Sequence, residues 1–150
     1  MTRRAARALA GRAVCAAALL LGACAPAGPR PLAYDHDACA FCRMTVGDPR
    51  YGAELVTVKG KVHTFDSIEC LASYYLANRA TARSVWVTDD GRLVPAEQAR
   101  FRRAVPGAEG GSPMGLGLGV ASDGTLRWGD VLAMVEREGL PKAGSRPDES

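Results

Sequence analysis

Hydrophobic and polar residues along this chain follow two rhythms. Ala53-Glu-Leu-Val-Thr-Val58 and Val62-His-Thr-Phe65 alternate with the period of a strand. Lys59-Gly60 between them reads as a tight turn, so the pair predicts a hairpin. After Asp66 the period changes: Ile68, Leu71, Ala72, Tyr75 and Leu76 recur at the spacing of a helix with one apolar face. Asp66 with Glu69 three residues on has the capping-box pattern and predicts the start of that helix. Ser84-Val-Trp-Val-Thr88 predicts the next strand, closed by the turn residues Asp89-Asp90-Gly91. Pro95 is placed to open a short helix through Val105. A loop from Pro106 to Gly117, a strand Leu118 to Ser122 and a helix Gly129 to Glu138 complete the order, with Gly139 as the helix stop. Hairpins and short links in this order predict an α+β fold, not a doubly wound parallel sheet.

The segment before residue 37 has neither rhythm. Arg3, Arg4, Arg7 and Arg12 precede an apolar run, Val14 to Leu21, which is too short to span a bilayer permanently. A basic start, a short apolar run and small residues at its exit describe an export signal. Leu21-Gly22-Ala23-Cys24 resembles a bacterial lipobox, which implies cleavage after residue 23 and a diacylglycerol thioether on Cys24. Lipid on the thiol and an acylated N-terminus would supply the several chains that stable anchoring requires. Residues 24–36, with prolines at 26, 29 and 31, then read as a tether, residues 37–140 as the domain, and residues 141–150 as a disordered tail. Ala25 stands where an aspartate often retains lipoproteins at the inner membrane, which favours the outer membrane, facing the periplasm.

Composition changes the picture in one respect. The 150 residues carry 19 basic and 16 acidic side chains, a formal +3. Setting aside the four arginines of the signal leaves 15 basic against 16 acidic residues. A near-neutral body offers no electrostatic case for nucleic acid.

The candidate chemistry lies in Cys39-Ala-Phe-Cys42-Arg-Met44. Cys15 leaves with the signal and Cys24 is consumed by lipid, so Cys39, Cys42 and Cys70 remain of five cysteines. An odd number suits a site better than a disulfide scaffold. One turn can aim the Cys39 and Cys42 sulfurs at a common point, and Met44 points the same way if the chain is extended there. Thiolate with thioether is a soft set that selects Cu(I), whereas zinc prefers a closed cysteine and histidine tetrahedron. Position 43 is arginine, which excludes a c-type haem site. A thioredoxin-like pair should open a helix, and this one leads into Asp48-Pro49 instead. A Cys39–Cys42 disulfide remains open.

Cys70 lies near the start of the first helix, off the Ile68/Leu71/Tyr75 face, where the helix dipole favours thiolate. Ligand and core thiol both stay open for it. His63 on the second strand reads first as a packed or surface residue and second as an additional ligand. Met114, in the glycine-rich Pro113-Met114-Gly115 loop, reads alone as a loop anchor.

Taken together, Cys39-Ala-Phe-Cys42-Arg-Met44, Phe65-Asp66-Ser-Ile-Glu69-Cys70-Leu71 and Ser112-Pro113-Met114-Gly115 resemble the NosL family of copper-binding lipoproteins. The resemblance implies small ββαβ-type units sharing one core, similar to a domain of organomercurial lyase. It implies Cu(I) held by Cys42, Met44 and Met114, with Cys39 and Cys70 next. It also implies a non-enzymatic copper chaperone that works by ligand exchange, with nitrous oxide reductase, or another envelope copper carrier, as its partner. Many members linked to that reductase carry a His-Pro-Gly-like stretch where this chain has Asp48-Pro49-Arg50, which keeps another cuproenzyme open as client. The alternative function is an envelope thiol–disulfide oxidoreductase using Cys39 and Cys42. A zinc-stabilised domain comes third.

Overall fold

A four-stranded antiparallel sheet and two helices frame the core; the alternating segments predict three of those strands, and the fourth, Arg92–Pro95, appears only in the structure. The computed structural model describes residues 28–106 and 108–140. The signal, Cys24 and the tail lie outside these residues. Strands β1 (Ala53–Thr57) and β2 (Val62–Phe65) form the hairpin, with Leu55 opposite His63. Helix α1 (Ile68–Asn78) follows, and a short 3-10 turn, Arg79–Thr81, leads into β3 (Ala82–Asp89). β4 (Arg92–Pro95) pairs back on β3, giving the antiparallel order β2-β1-β3-β4. A second, two-stranded sheet joins β5 (Phe101–Arg103) to β6 (Leu118–Val120), and helix α2 (Trp128–Glu138) ends the fold. The fold is α+β with antiparallel sheets. Among the described residues no helix is long and apolar enough to cross a membrane.

The strand alternation decides which side chains meet the helices. Ala53, Leu55, Phe65, Val85 and Val87 pack against Ile68, Leu71 and Ala72 of α1 and Val131 and Val135 of α2, with Phe101 and Leu118 from the small sheet. Burying these side chains stabilises the fold by roughly 1.5–3 kcal/mol per large aliphatic or aromatic residue. Cys39 and Cys70 belong to the same buried cluster.

Three local expectations differ from the structure. Ser67, not Asp66, caps α1: its hydroxyl accepts the Cys70 N–H at 3.1 Å. Two cap-competent residues stand in a row, and the extended backbone at Ser67 (φ −150°, ψ 160°) selects the second. The helix expected from Pro95 to Val105 does not form. Pro95 ends β4, its carbonyl accepts the Gln98 and Ala99 N–H groups in a single turn, and Phe101 enters the core as a strand. Its aromatic ring is fully buried, and tertiary burial overrides the weak helix signal of proline. The last helix starts one residue early, at Trp128, where the Arg127 N–H donates to Asp130 at 2.7 Å.

Residues 30–36, expected to belong to the tether, are instead tied to the domain. The Arg30 N–H donates to Glu54, a fully buried carboxylate on β1, and its guanidinium makes two hydrogen bonds to Asp37. Desolvation raises the Glu54 carboxyl above its ordinary range. Proline at 29 and 31 fixes φ there, so this segment has less backbone freedom to lose on docking.

Candidate metal centre

The Cys39–Met44 turn is closed by its own backbone. Ala38 bridges Thr45, and the Val46 N–H donates to the Asp37 carbonyl at 2.8 Å. Within the turn, the Cys39 N–H donates to the Met44 carbonyl at 2.7 Å and the Arg43 N–H to the Cys39 carbonyl at 3.1 Å. Arg43 takes a left-handed backbone, φ 70°, to close it. That conformation costs a non-glycine residue roughly 1–2 kcal/mol.

The turn is stitched to the end of β2. The Ala40 N–H donates to the Thr64 carbonyl at 2.8 Å, and the Thr64 hydroxyl to the Ala38 carbonyl at 3.0 Å. Two residues past Thr64 comes Asp66, and Cys70 follows in the first turn of α1. One strand end thus brings together residues more than twenty positions apart.

The result is a four-residue cluster. The sulfurs of Cys39, Cys42 and Cys70 and a carboxylate oxygen of Asp66 all lie within 4.8 Å of one another. Sulfurs bound at about 2.3 Å from a tetrahedral centre stand about 3.8 Å apart. Closure by about 1 Å would therefore give all four a common ion. This cluster could hold a metal ion.

Its protonation is uneven. Cys39 is fully buried yet its thiol is lowered to about 6. The Cys70 S–H donates to it, and backbone N–H groups of Cys42, Asp66 and Phe41 add to that hydrogen bond. Cys70 is raised far above the ordinary thiol range, first by donating to Cys39 and then by burial. The helix dipole invoked for Cys70 is overridden by this neighbour. Burial is the first cause that pushes Cys42 up to about 12, with the Cys39 and Asp66 charges adding to it. Its Sγ lies 3.3 Å from Asp66 Oδ1, a weak donor to a carboxylate.

This pattern predicts how metal binding responds to pH. Metal-bound cysteines are thiolates, so binding expels the protons the free site holds. Above about 6 only Cys42 and Cys70 carry them. Affinity should rise with pH with a logarithmic slope of about two, steepening toward about three below that point. Calorimetry in buffers of different ionisation enthalpy counts the protons directly; fewer than one released would contradict three thiolate ligands.

The other expected ligands are placed differently. Met44, 53% exposed, sits on the rim of the cysteine turn. Met114 is half-buried against the core, in the loop that enters β6. His63 stands outside the cluster, its Nε2 3.4 Å from the Tyr74 hydroxyl and its ring against Tyr74 at 5.1 Å. Cys70, placed off the apolar face by the helical wheel, is fully buried because the cysteine turn covers that side of α1. All three cysteines are free thiols.

Two residues of the site were read from sequence only as caps. Asp66 faces Cys42, and Glu69 turns into the interior. The signal for Asp66 was the serine behind it: with Ser67 available to cap, Asp66 was free for other work. No family model matches the chain, and no curated protein matches it.

Proposed function

We propose that this protein is a Cu(I) carrier anchored by a lipid on Cys24 to the bacterial cell envelope. It passes copper by ligand exchange to a cuproenzyme outside the cytoplasm, with nitrous oxide reductase the first candidate. The observation that carries the reading is the convergence of three thiols at one point, two buried and one half-buried at the rim. Soft sulfur donors favour Cu(I) over harder ions. The NosL-like motifs and lipobox agree with it and supply the client and location. Met44, exposed beside the turn, suits a ligand that meets copper on entry and yields to an acceptor's ligand on exit. The metal then passes through a shared intermediate, with no bond chemistry on a substrate.

The thiol–disulfide alternative fits the electrostatics less well. An attacking cysteine needs a low pKa and access to solvent. Here the lowered thiol, Cys39, is buried, and the more accessible Cys42 is raised. Asp66 favours a second metal reading, because three cysteines and a carboxylate also satisfy zinc.

Titration of the reduced domain with Cu(I) against a chromophoric competitor separates these readings. Stoichiometric binding that collapses in Cys42→Ser/Met44→Ala, followed by metal transfer to an apo-cuproenzyme, is the expected result. Preference for Zn(II) with indifference to Met44→Ala would replace the carrier with a structural zinc site. Copper-loaded protein that transfers to no acceptor would remove the delivery role.

A further inference from the structure

Glu69 is more deeply engaged than a helix cap. Its side chain is fully buried, and one oxygen, Oε1, accepts both the Ser112 hydroxyl at 2.7 Å and the Leu118 N–H at 2.8 Å. Ser112 is itself fully buried, and its hydroxyl oxygen accepts the Met114 N–H at 3.3 Å. The Ser112 N–H donates to the Leu118 carbonyl at 3.3 Å, and the Gly117 N–H to the Met114 carbonyl at 2.9 Å. The loop 112–118 is therefore closed on itself, and both its ends are pinned to one carboxylate oxygen. That carboxylate belongs to the residue beside Cys70. Gly117, at φ 64°, permits the closure, since a Cβ there would overlap the Ala104 carbonyl.

The geometry points to Glu69 as a positioning residue: through Ser112 it fixes the Met114 loop against the first turn of α1, so that the thioether is held ready for the metal bound by the cysteine cluster. A burial role alone would not need this arrangement. An aliphatic side chain fills the same space, but it leaves the Leu118 N–H unpaired and releases the Ser112 hydroxyl. The inference rests on the copper reading for its purpose, while the clamp itself stands on the hydrogen bonds.

The test compares Glu69→Leu, Glu69→Gln, Ser112→Ala and Met114→Ala, each alone, and the first three again in the Met114→Ala background. Glutamine keeps a carbonyl oxygen for both donors and should behave as wild type. Leucine and Ser112→Ala should weaken Cu(I) binding about 10- to 100-fold, as loss of groups that orient ligands commonly does. With Met114 already replaced, neither should cause a further loss. X-ray absorption at the copper edge should lose one sulfur scatterer in all three weakened variants. Weakening that persists undiminished without Met114 would overturn the positioning role and leave a general packing defect. So would wild-type affinity in both Glu69→Leu and Ser112→Ala. The methyl resonance of Met114 in the metal-free protein gives a readout independent of copper. It should move toward its unfolded position in Glu69→Leu and Ser112→Ala while the other methionine methyls stay in place. If wild type binds no Cu(I), the carrier reading fails, and this resonance still decides whether the clamp exists. An unmoved resonance would refute it.

Discussion

Cys39→Ser is expected to weaken Cu(I) binding by about two to three orders of magnitude while leaving the fold intact. Thiolate metal sites release about 10–16 kcal/mol on binding, so one of three or four ligands accounts for about 3–4 kcal/mol. Cys39 is fully buried in the cluster, and the groups around it hold its thiol low, at about 6, which favours the form that binds metal. Serine preserves the size of the group and can still meet the Cys70 S–H and the backbone N–H groups. Stability should therefore change little. The hydroxyl cannot ionise in this pH range, and it is a hard donor for a soft ion. Competition with a chromophoric Cu(I) chelator measures the effect, with Met44→Ala as the milder comparison. Wild-type affinity in Cys39→Ser would mean that copper, if bound at all, is held elsewhere.

The largest effect on stability is expected from Phe65→Ala. Phe65 has no exposed surface, ends β2 opposite Ala53, and packs on Tyr74 with ring centroids 5.2 Å apart. Removing a buried aromatic costs about 3–5 kcal/mol in lost transfer energy and cavity. Against a total stability of about 5–15 kcal/mol, that is enough to unfold part of the population. Phe65 also immediately precedes Asp66, so its packing sets where the strand hands over to the helix that carries Cys70. Urea unfolding of the metal-free protein should show a lower midpoint with an unchanged slope. On the proposed function, metal would bind the folded form alone, so Cu(I) at about 100 times its dissociation constant should restore about 2.7 kcal/mol. A loss below about 1 kcal/mol would show that the β2–α1 junction is not packed as described.

Much of this architecture was legible because local patterns and the tertiary structure agreed. The hairpin Ala53–Phe65 and the helix after it follow from periodicity alone, since a half-buried strand and a one-faced helix must place apolar residues at those spacings. The segment Pro95–Val105 is ambiguous in the sequence because proline opens helices and ends edge strands equally well. The burial of Phe101 that selects between them comes from β6 and α2, both later in the chain. Asp66 and Ser67 show the same limit on a smaller scale: both can cap, and only the strand's exit angle chooses.

For the site, the amino-acid sequence by itself determined the sulfur donors: three cysteines in the expected domain, two of them one turn apart, in a near-neutral body. Spacing reveals such chemistry because a soft site is built from rare residue types placed close in the chain. The tertiary structure alone decided which donors converge. Thr64 ties the cysteine turn to β2, which brings Cys70 and Asp66 to Cys39 and Cys42 and sets His63 aside against Tyr74. It also decided where the proton sits, because the lowered thiol of Cys39 depends on a donor thirty-one residues away at Cys70. Convergence and protonation are properties of distance in space, and a sequence records only distance along the chain.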